Sequence, residues 1–238
     1  LREKGTMNGM ITTKEYSDLS EPISRMKAYT VAGVVMATTT KEKYVLPGNG
    51  KKVALMDFGA KKNIARSLNQ RGCRVTVYPA HTPAAEVLAD RPDGIMLSNG
   101  PGDPKENTAI IKEVKKLYDS NVPIFAICLG HQLMALANGL DTHKLKYGHR
   151  GGNHPVRDLE KNRVFITSQN HGYMVLSDTV DPAVAEVSHI NVNDGTCEGL
   201  RYKRPNCFTT QFHPEANAGP KDTEYLFNRF IESMGGAK

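Results

Sequence analysis

Three side chains of this sequence have the types and neighbours that nucleophilic acyl chemistry requires. Cys128 follows an apolar run at residues 123–127, the mark of a strand buried on both faces. From Gly130 onward the apolar residues fall at Leu133, Met134, Leu136 and Ala137, the spacing of a helix packed on a sheet. Small residues stand on either side of the cysteine, Ala126 two before and Gly130 two after, so the chain can turn sharply from strand to helix and hold the thiol up. A cysteine at that turn faces the positive end of the helix dipole, which favours the thiolate. On this stretch alone a plain core cysteine remains the alternative, since cysteine is among the most buried residue types.

A thiolate that attacks an acyl carbon needs a base that later returns the proton. His213 is the best placed of the eight histidines, because it follows the apolar run at residues 207–212 and so stands at a strand end. That end lies beside Cys128 if the two strands run parallel. Glu215 lies two residues on, and Pro214 between them disfavours helix, so an extended backbone would let the carboxylate orient the imidazole. His131 is too close to the cysteine in sequence to serve and is expected to pack or cap at the helix start. The loop Ser98-Asn-Gly-Pro-Gly-Asp-Pro104 carries Gly100 and Gly102 around a proline. Such a loop can aim backbone N–H groups at one spot; with the N–H of Leu129 it would hold an oxyanion. An ordinary Gly/Pro turn is the competing reading.

The elements that must position these groups alternate. Strands are predicted at residues 53–56, 75–78 and 94–97, with helices over 61–71, from Thr82 (N-cap) and Pro83 through Leu88, and over 107–120. Strand and helix in turn with short joins make a doubly wound, mostly parallel α/β sheet, whose ligands sit beyond the carboxyl ends of the strands. After Gly139 the pattern changes to strands at 164–166, 184–190 and 208–212, a mixed or antiparallel extension, before a closing helix over 221–234. Residues 1–50 carry a single apolar run at 31–36 and close at Pro47-Gly-Asn-Gly50. They form no core of their own and are expected to be the tail of a preceding domain or an arm on the main one, which occupies 51–238. Leu1 in place of Met suggests a fragment.

The bulk numbers exclude several classes. At 238 residues, 39% hydrophobic and 24% charged, the chain can bury one large core, and no stretch is apolar for the roughly 18 residues of a membrane span. The net charge of +6 comes from lysines that are spread out, so a solvated face or partner surface is expected in preference to nucleic-acid binding. Four cysteines without a C-x-x-C pair fit a reducing, cytoplasmic setting, and Cys73, Cys197 and Cys207 read as inert core thiols. His149, His154 and His171 fall in glycine-rich stretches without ligand spacing, and no metal site is expected.

Ala126-Ile-Cys-Leu-Gly-His-Gln132 together with Gln211-Phe-His-Pro-Glu215 resembles the class I, triad-type glutamine amidotransferases. Within them, five further stretches resemble the small, glutamine-hydrolysing subunits of carbamoyl-phosphate synthases. These are Asp57-Phe-Gly-Ala-Lys-Lys-Asn-Ile64, Leu97 to Pro104, Lys146-Tyr-Gly-His-Arg-Gly-Gly-Asn-His-Pro155, Ser168-Gln-Asn-His-Gly-Tyr173 and Cys197-Glu-Gly-Leu200. The resemblance implies that Cys128 forms a glutamyl thioester, with His213 as acid/base and Glu215 as its orienting carboxylate. It implies that Gly100, Gly102 and the backbone of Leu129 line the glutamine and its oxyanion, and that Gln132, Asn170, Gly172 and Tyr173 hold the amino-acid end. Tyr173 stands where the family often has Phe. The family's N-terminal domain, mostly absent here, adds a serine to that site which residues 1–50 do not place. No cofactor is implied in this chain; ATP and Mg belong to the implied partner, a large synthetase subunit that uses the ammonia to make carbamoyl phosphate for arginine and pyrimidine synthesis. The alternatives are the glutaminase component of an anthranilate or guanylate (GMP) synthase and a stand-alone γ-glutamyl hydrolase.

Overall fold

The expected alternation builds one ten-stranded sheet. A computed structural model describes residues 3, 5–216 and 218–235; of the opening five residues, Leu1, Arg2 and Lys4 lie outside it. Its elements are α1 (Ser20–Ala28), α2 (Val34–Thr38), β1 (Tyr44–Leu46), β2 (Lys52–Asp57), α3 (Lys62–Gln70), β3 (Arg74–Pro79), α4 (Ala84–Ala89), β4 (Gly94–Leu97), α5 (Thr108–Asp119), β5 (Ile124–Ile127) and α6 (Leu129–Ala137). They continue with β6 (Thr142–Asp158), β7 (Arg163–Val175), β8 (Ala185–Asn191), β9 (Cys197–Tyr202), β10 (Cys207–Thr210) and α7 (Tyr225–Ser233). The strand order is β1-β3-β2-β4-β5-β10-β9-β8-β6-β7. The five strands from β3 to β10 run parallel, and antiparallel strands flank them on both sides, as the doubly wound reading with a mixed extension requires.

Alternation along β5 divides the core into two layers. Ile124 and Ala126 face one cluster with Ile110, Val114 and Leu133 from α5 and α6. Phe125 and Ile127 face the other, with Ile64 and Leu68 from α3 and Phe227 and Phe230 from α7. Phe125 stacks on Phe208 at 4.5 Å between centroids, which joins β5 to β10 side by side. That pairing brings the ends of the two strands, and hence Cys128 and His213, to the same sheet edge.

Several local expectations are corrected. Thr82 does not cap α4: Pro83 occupies the N-cap with extended backbone (ψ 141°), and the free N–H of Ala84 donates to Glu113 of α5 at 2.7 Å. The segment at residues 142–175 is a long hairpin, β6 with β7, so His149, His154 and His171 lie in strands. Its Lys, His and Gly residues have weak strand preference and one face is largely open, which hides it from a periodicity argument. β10 stops at Thr210 and α7 starts at Tyr225, both shorter than predicted. Of the run at 31–36, only Val35 is buried; it sits on α2 and joins the main core. β1 pairs antiparallel with β3, so the first fifty residues supply an edge strand to the sheet. Cys73, Cys197 and Cys207 are buried free thiols, and burial pushes Cys197 up to about 12 and Cys207 up to about 11.

Candidate active site

The turn after β5 is as sharp as its small residues suggest. Cys128 has φ 53° and ψ −104°, a backbone region that side-chain-bearing residues seldom occupy. Its N–H donates to Thr210 O at 2.8 Å and its carbonyl accepts from Gln132 N at 3.2 Å, so β10 and α6 together hold the strained residue. Gly130 makes this possible: a Cβ there would lie 2.5 Å from the carbonyl oxygen of Leu97, and its N–H donates to Ser98 O. We expect Gly130→Ala to destabilise the fold by about 1–3 kcal/mol and to displace the thiol. A denaturation curve and the alkylation rate of Cys128 measure both, and a stable variant with unchanged thiol reactivity contradicts the account.

A cleft of about 660 Å³ opens at the carboxyl edge of the parallel strands, with Cys128 and His213 in its wall. Its β4 side is the Gly100–Gly102 loop. A Cβ on Gly100 would meet Phe58 O at 2.2 Å, and Gly102 has φ +92°, so neither position suits a side chain. The loop is tied to the one after β2: Ser98 Oγ accepts from Phe58 N at 2.9 Å, and Asn99 Oδ1 accepts from Lys61 N at 2.8 Å. Leu129 is buried with its side chain against Gly100; as the first residue of α6 its N–H has no acceptor within the helix.

The loop after β10 brings in the other two groups by a different route from the one expected. Residues 213–216 form a turn, with Ala216 N donating to His213 O at 3.2 Å, so the backbone is not extended. Pro214 fits that turn because its ring already holds the φ the second position needs. His213 N–H donates to Ser168 O of β7 at 2.9 Å, and Asn63 of α3 donates to Glu215 O. His213 Nδ1 then lies 2.7 Å from Glu215 Oε1, while Nε2 has no hydrogen-bond partner among the described residues and the ring lines the cleft together with Cys128. Burial pulls the imidazole's pKa down, but Cys128 and Glu215 outweigh it and raise His213 to about 10. Glu215 is fully buried; that burial opposes its charge, yet His213 and Lys61 hold its carboxyl below the usual range. With such an imidazolium beside it, the Cys128 sulfur is placed to attack an acyl carbon, and the imidazolium can then protonate the leaving group.

β6, β7 and α6 form the far wall. Gln132, Asn170, Gly172 and Tyr173 all line the cleft with Gly100 and Gly102. Gln132 Nε2 donates to Tyr173 O at 2.8 Å and to Gln211 Oε1 at 2.9 Å, which leaves its carbonyl oxygen as what it can offer a ligand. His131 is buried inside α6 with Nδ1 2.7 Å from Thr209 Oγ1, and burial lowers it to about 3, so it packs rather than reacts.

Two contributions escape the sequence. Lys61 reaches Glu215 Oε1 at 3.4 Å from the cleft's edge; its place just after β2, the next strand of the parallel set, was the available signal. Thr6, Met7, Asn8, Val31 and Thr38 also line the cleft, which nothing in their composition announces. His149, His171 and Glu198, on three strands, have ligand atoms within 4.8 Å of one another. Those atoms already face Gln169, Asp194, Asn191 and the Tyr173 carbonyl.

A family model described as glutamine amidotransferase class-I matches residues 54–233. Carbamoyl phosphate synthase small chains are similar over nearly the whole chain. The one from Clostridium perfringens is 50% identical over 98% of it, that from Listeria monocytogenes 46% over 99%, and that from Bacillus cereus 49% over 100%. The chain spans 65% of the length of each of these relatives. Among solved structures, a protein from Thermoplasma acidophilum described as a putative GMP synthase component superposes with a TM-score of 0.68 at 23% identity. The match covers 78% of this chain and 94% of the other, a likeness of fold.

Proposed function

We propose, for a chain that belongs to the class-I glutamine amidotransferase family, that it hydrolyses the side-chain amide of glutamine and hands the ammonia to a synthetase subunit making carbamoyl phosphate. The observation that carries this is His213, held by Glu215 at 2.7 Å and turned to a Cys128 strained at the β5–α6 elbow. The Cys128 thiolate attacks the amide carbon, and the N–H groups of Gly100 and Leu129 receive the oxyanion. His213 protonates the departing ammonia, leaving a glutamyl thioester. It then takes a proton from the water that releases glutamate. Nucleophile, acid/base and oxyanion donors are all on this chain, so we assign no cofactor to it; ATP and Mg go to the partner.

The small-chain relatives support carbamoyl phosphate over anthranilate or GMP as the product, and a synthetase large subunit as the partner. We take residues 1–50 as the end of a preceding domain and 51–238 as the glutaminase domain. No helix among the described residues is long and apolar enough to cross a membrane, and four free buried thiols support a reducing, cytoplasmic setting. The test is ammonia release from glutamine with and without a carbamoyl-phosphate synthase large subunit. Stimulation by that subunit is expected; stimulation by a different synthase in its place overturns the product assignment. Turnover of γ-glutamyl peptides with no partner would favour a stand-alone hydrolase.

Tyr173 adds a smaller test. It binds neighbours through its backbone oxygen, which accepts from Gln132, while its hydroxyl lies near Asp103 across the cleft. Tyr173→Phe is therefore expected to change the KM for glutamine by less than about threefold; a larger rise shows that the hydroxyl itself helps to close the site.

A further inference from the structure

The triad leaves unused a second concentration of buried polar groups, on the antiparallel side of the sheet. His149 of β6, Gln169 and His171 of β7 and Glu198 of β9 are all buried, and Asp194 closes the cluster from the β8–β9 turn. Both ring nitrogens of His149 face oxygens. Nε2 lies 2.7 Å from Asp194 Oδ2, and Nδ1 lies 3.3 Å from Glu198 Oε1 and 3.1 Å from Gln169 Oε1. Gln169 Nε2 donates to Glu198 Oε1 at 2.9 Å and to Thr167 Oγ1 at 3.2 Å, which fixes its oxygen toward the two histidines. His171 Nε2 lies 2.7 Å from that oxygen, and its Nδ1 2.8 Å from Tyr173 O. Tyr173 O is also where Gln132 donates. A chain of close polar contacts thus runs from a half-exposed carboxylate, Asp194, to the wall of the cleft; His171, which burial lowers to about 4 and so keeps neutral, donates from one ring nitrogen at a time.

The backbone explains why such a chain is needed. The β6–β7 ladder loses register between Lys144 and His149 and again between Gly151 and His154. The first break falls opposite residues 171–173, the very segment that lines the cleft. Asn170, His171 and Tyr173 keep ladder partners in Arg150, His149 and Lys144, but Gly172 has none, so side chains supplement the ladder where the pairing lapses.

We propose that His149, held between Glu198 and Asp194, is a positioning residue for the cleft wall at residues 170–173, and that it sets the affinity for glutamine without taking part in the chemistry. This rests on the reading of the cleft as a glutamine site. Steady-state kinetics of ammonia release separates the two roles. His149→Asn is expected to raise the KM for glutamine about tenfold while kcat stays within about threefold. Should that variant fold poorly, Asp194→Ala alters only the half-exposed end of the chain and is expected to raise KM by about threefold or more. Asp194→Asn, which keeps an acceptor oxygen for His149, restores most of the loss. A merely structural role would lower the melting temperature and leave KM where it was. KM within twofold of the parent in both His149→Asn and Asp194→Ala overturns the inference alone. Absence of any Cys128-dependent turnover in the parent chain, with the synthetase subunit present, overturns the reading of the cleft and the inference with it.

Discussion

Serine in place of Cys128 is expected to cut ammonia release from glutamine by about a thousandfold or more. The substitution changes one atom at a position that is 4% exposed and packed in the core, so the fold and the cleft should survive it. What changes is the acidity of the nucleophile. A thiol is intrinsically far more acidic and more nucleophilic than a hydroxyl. Cys128 and Glu215 favour the imidazolium form of His213, and an imidazolium cannot take the proton that a serine hydroxyl must lose. The variant should bind glutamine with affinity near the parent's, because Gln132, Asn170, Gly172 and Tyr173 are untouched. Glutamate-coupled ammonia detection gives the rate and calorimetry the binding. Residual activity above a tenth of the parent's would sink the assignment of Cys128.

His213→Asn should lower turnover by about a hundred- to ten-thousandfold, the usual range for a lost general acid/base. The pH profile adds a sharper test. Burial lowers the imidazole's pKa, while Cys128 and the Glu215 carboxylate raise it to about 10, well above the usual 6.5. The protonated form that supplies the leaving group's proton is therefore present at neutral pH and is lost as pH rises through about 10. Glu215→Gln keeps a hydrogen-bond acceptor at Oε1 but removes the charge, so the imidazolium loses its partner and deprotonates at lower pH. The alkaline limb of kcat/KM should accordingly move down the pH scale in that variant. A limb that stays in place assigns it to some other group and removes Glu215 from its role.

Much of this was legible in the residues themselves, and the reason is local. Ala126 and Gly130 around Cys128 specify a tight strand-to-helix turn by sterics alone, and the structure shows why only glycine fits at 130, with Leu97 O in the space a Cβ would take. Apolar runs of four to six residues alternating with helical spacing specify a parallel sheet, and ligands gather at its carboxyl edge for geometric reasons. The β6–β7 hairpin was not legible. Its glycines, lysines and histidines carry no two-residue period, and it is held by partner strands and a buried polar chain that sequence spacing does not express.

By itself, then, the sequence determined the setting of Cys128, the succession of strands and helices around it, and, through resemblance, the family. Tertiary structure decided the rest. The pairing of β10 with β5 is what puts His213 beside Cys128 across more than eighty residues of chain. A turn at residues 213–216, anchored from Ser168 and Asn63, aims Glu215 at the imidazole although the backbone there is not extended. Lys61, Thr6 and the His149 chain reach the cleft from segments far apart in sequence. Local sterics and periodicity act over a few residues and can be read there; contacts between distant segments depend on how the whole sheet closes its layers, and only the folded chain records them.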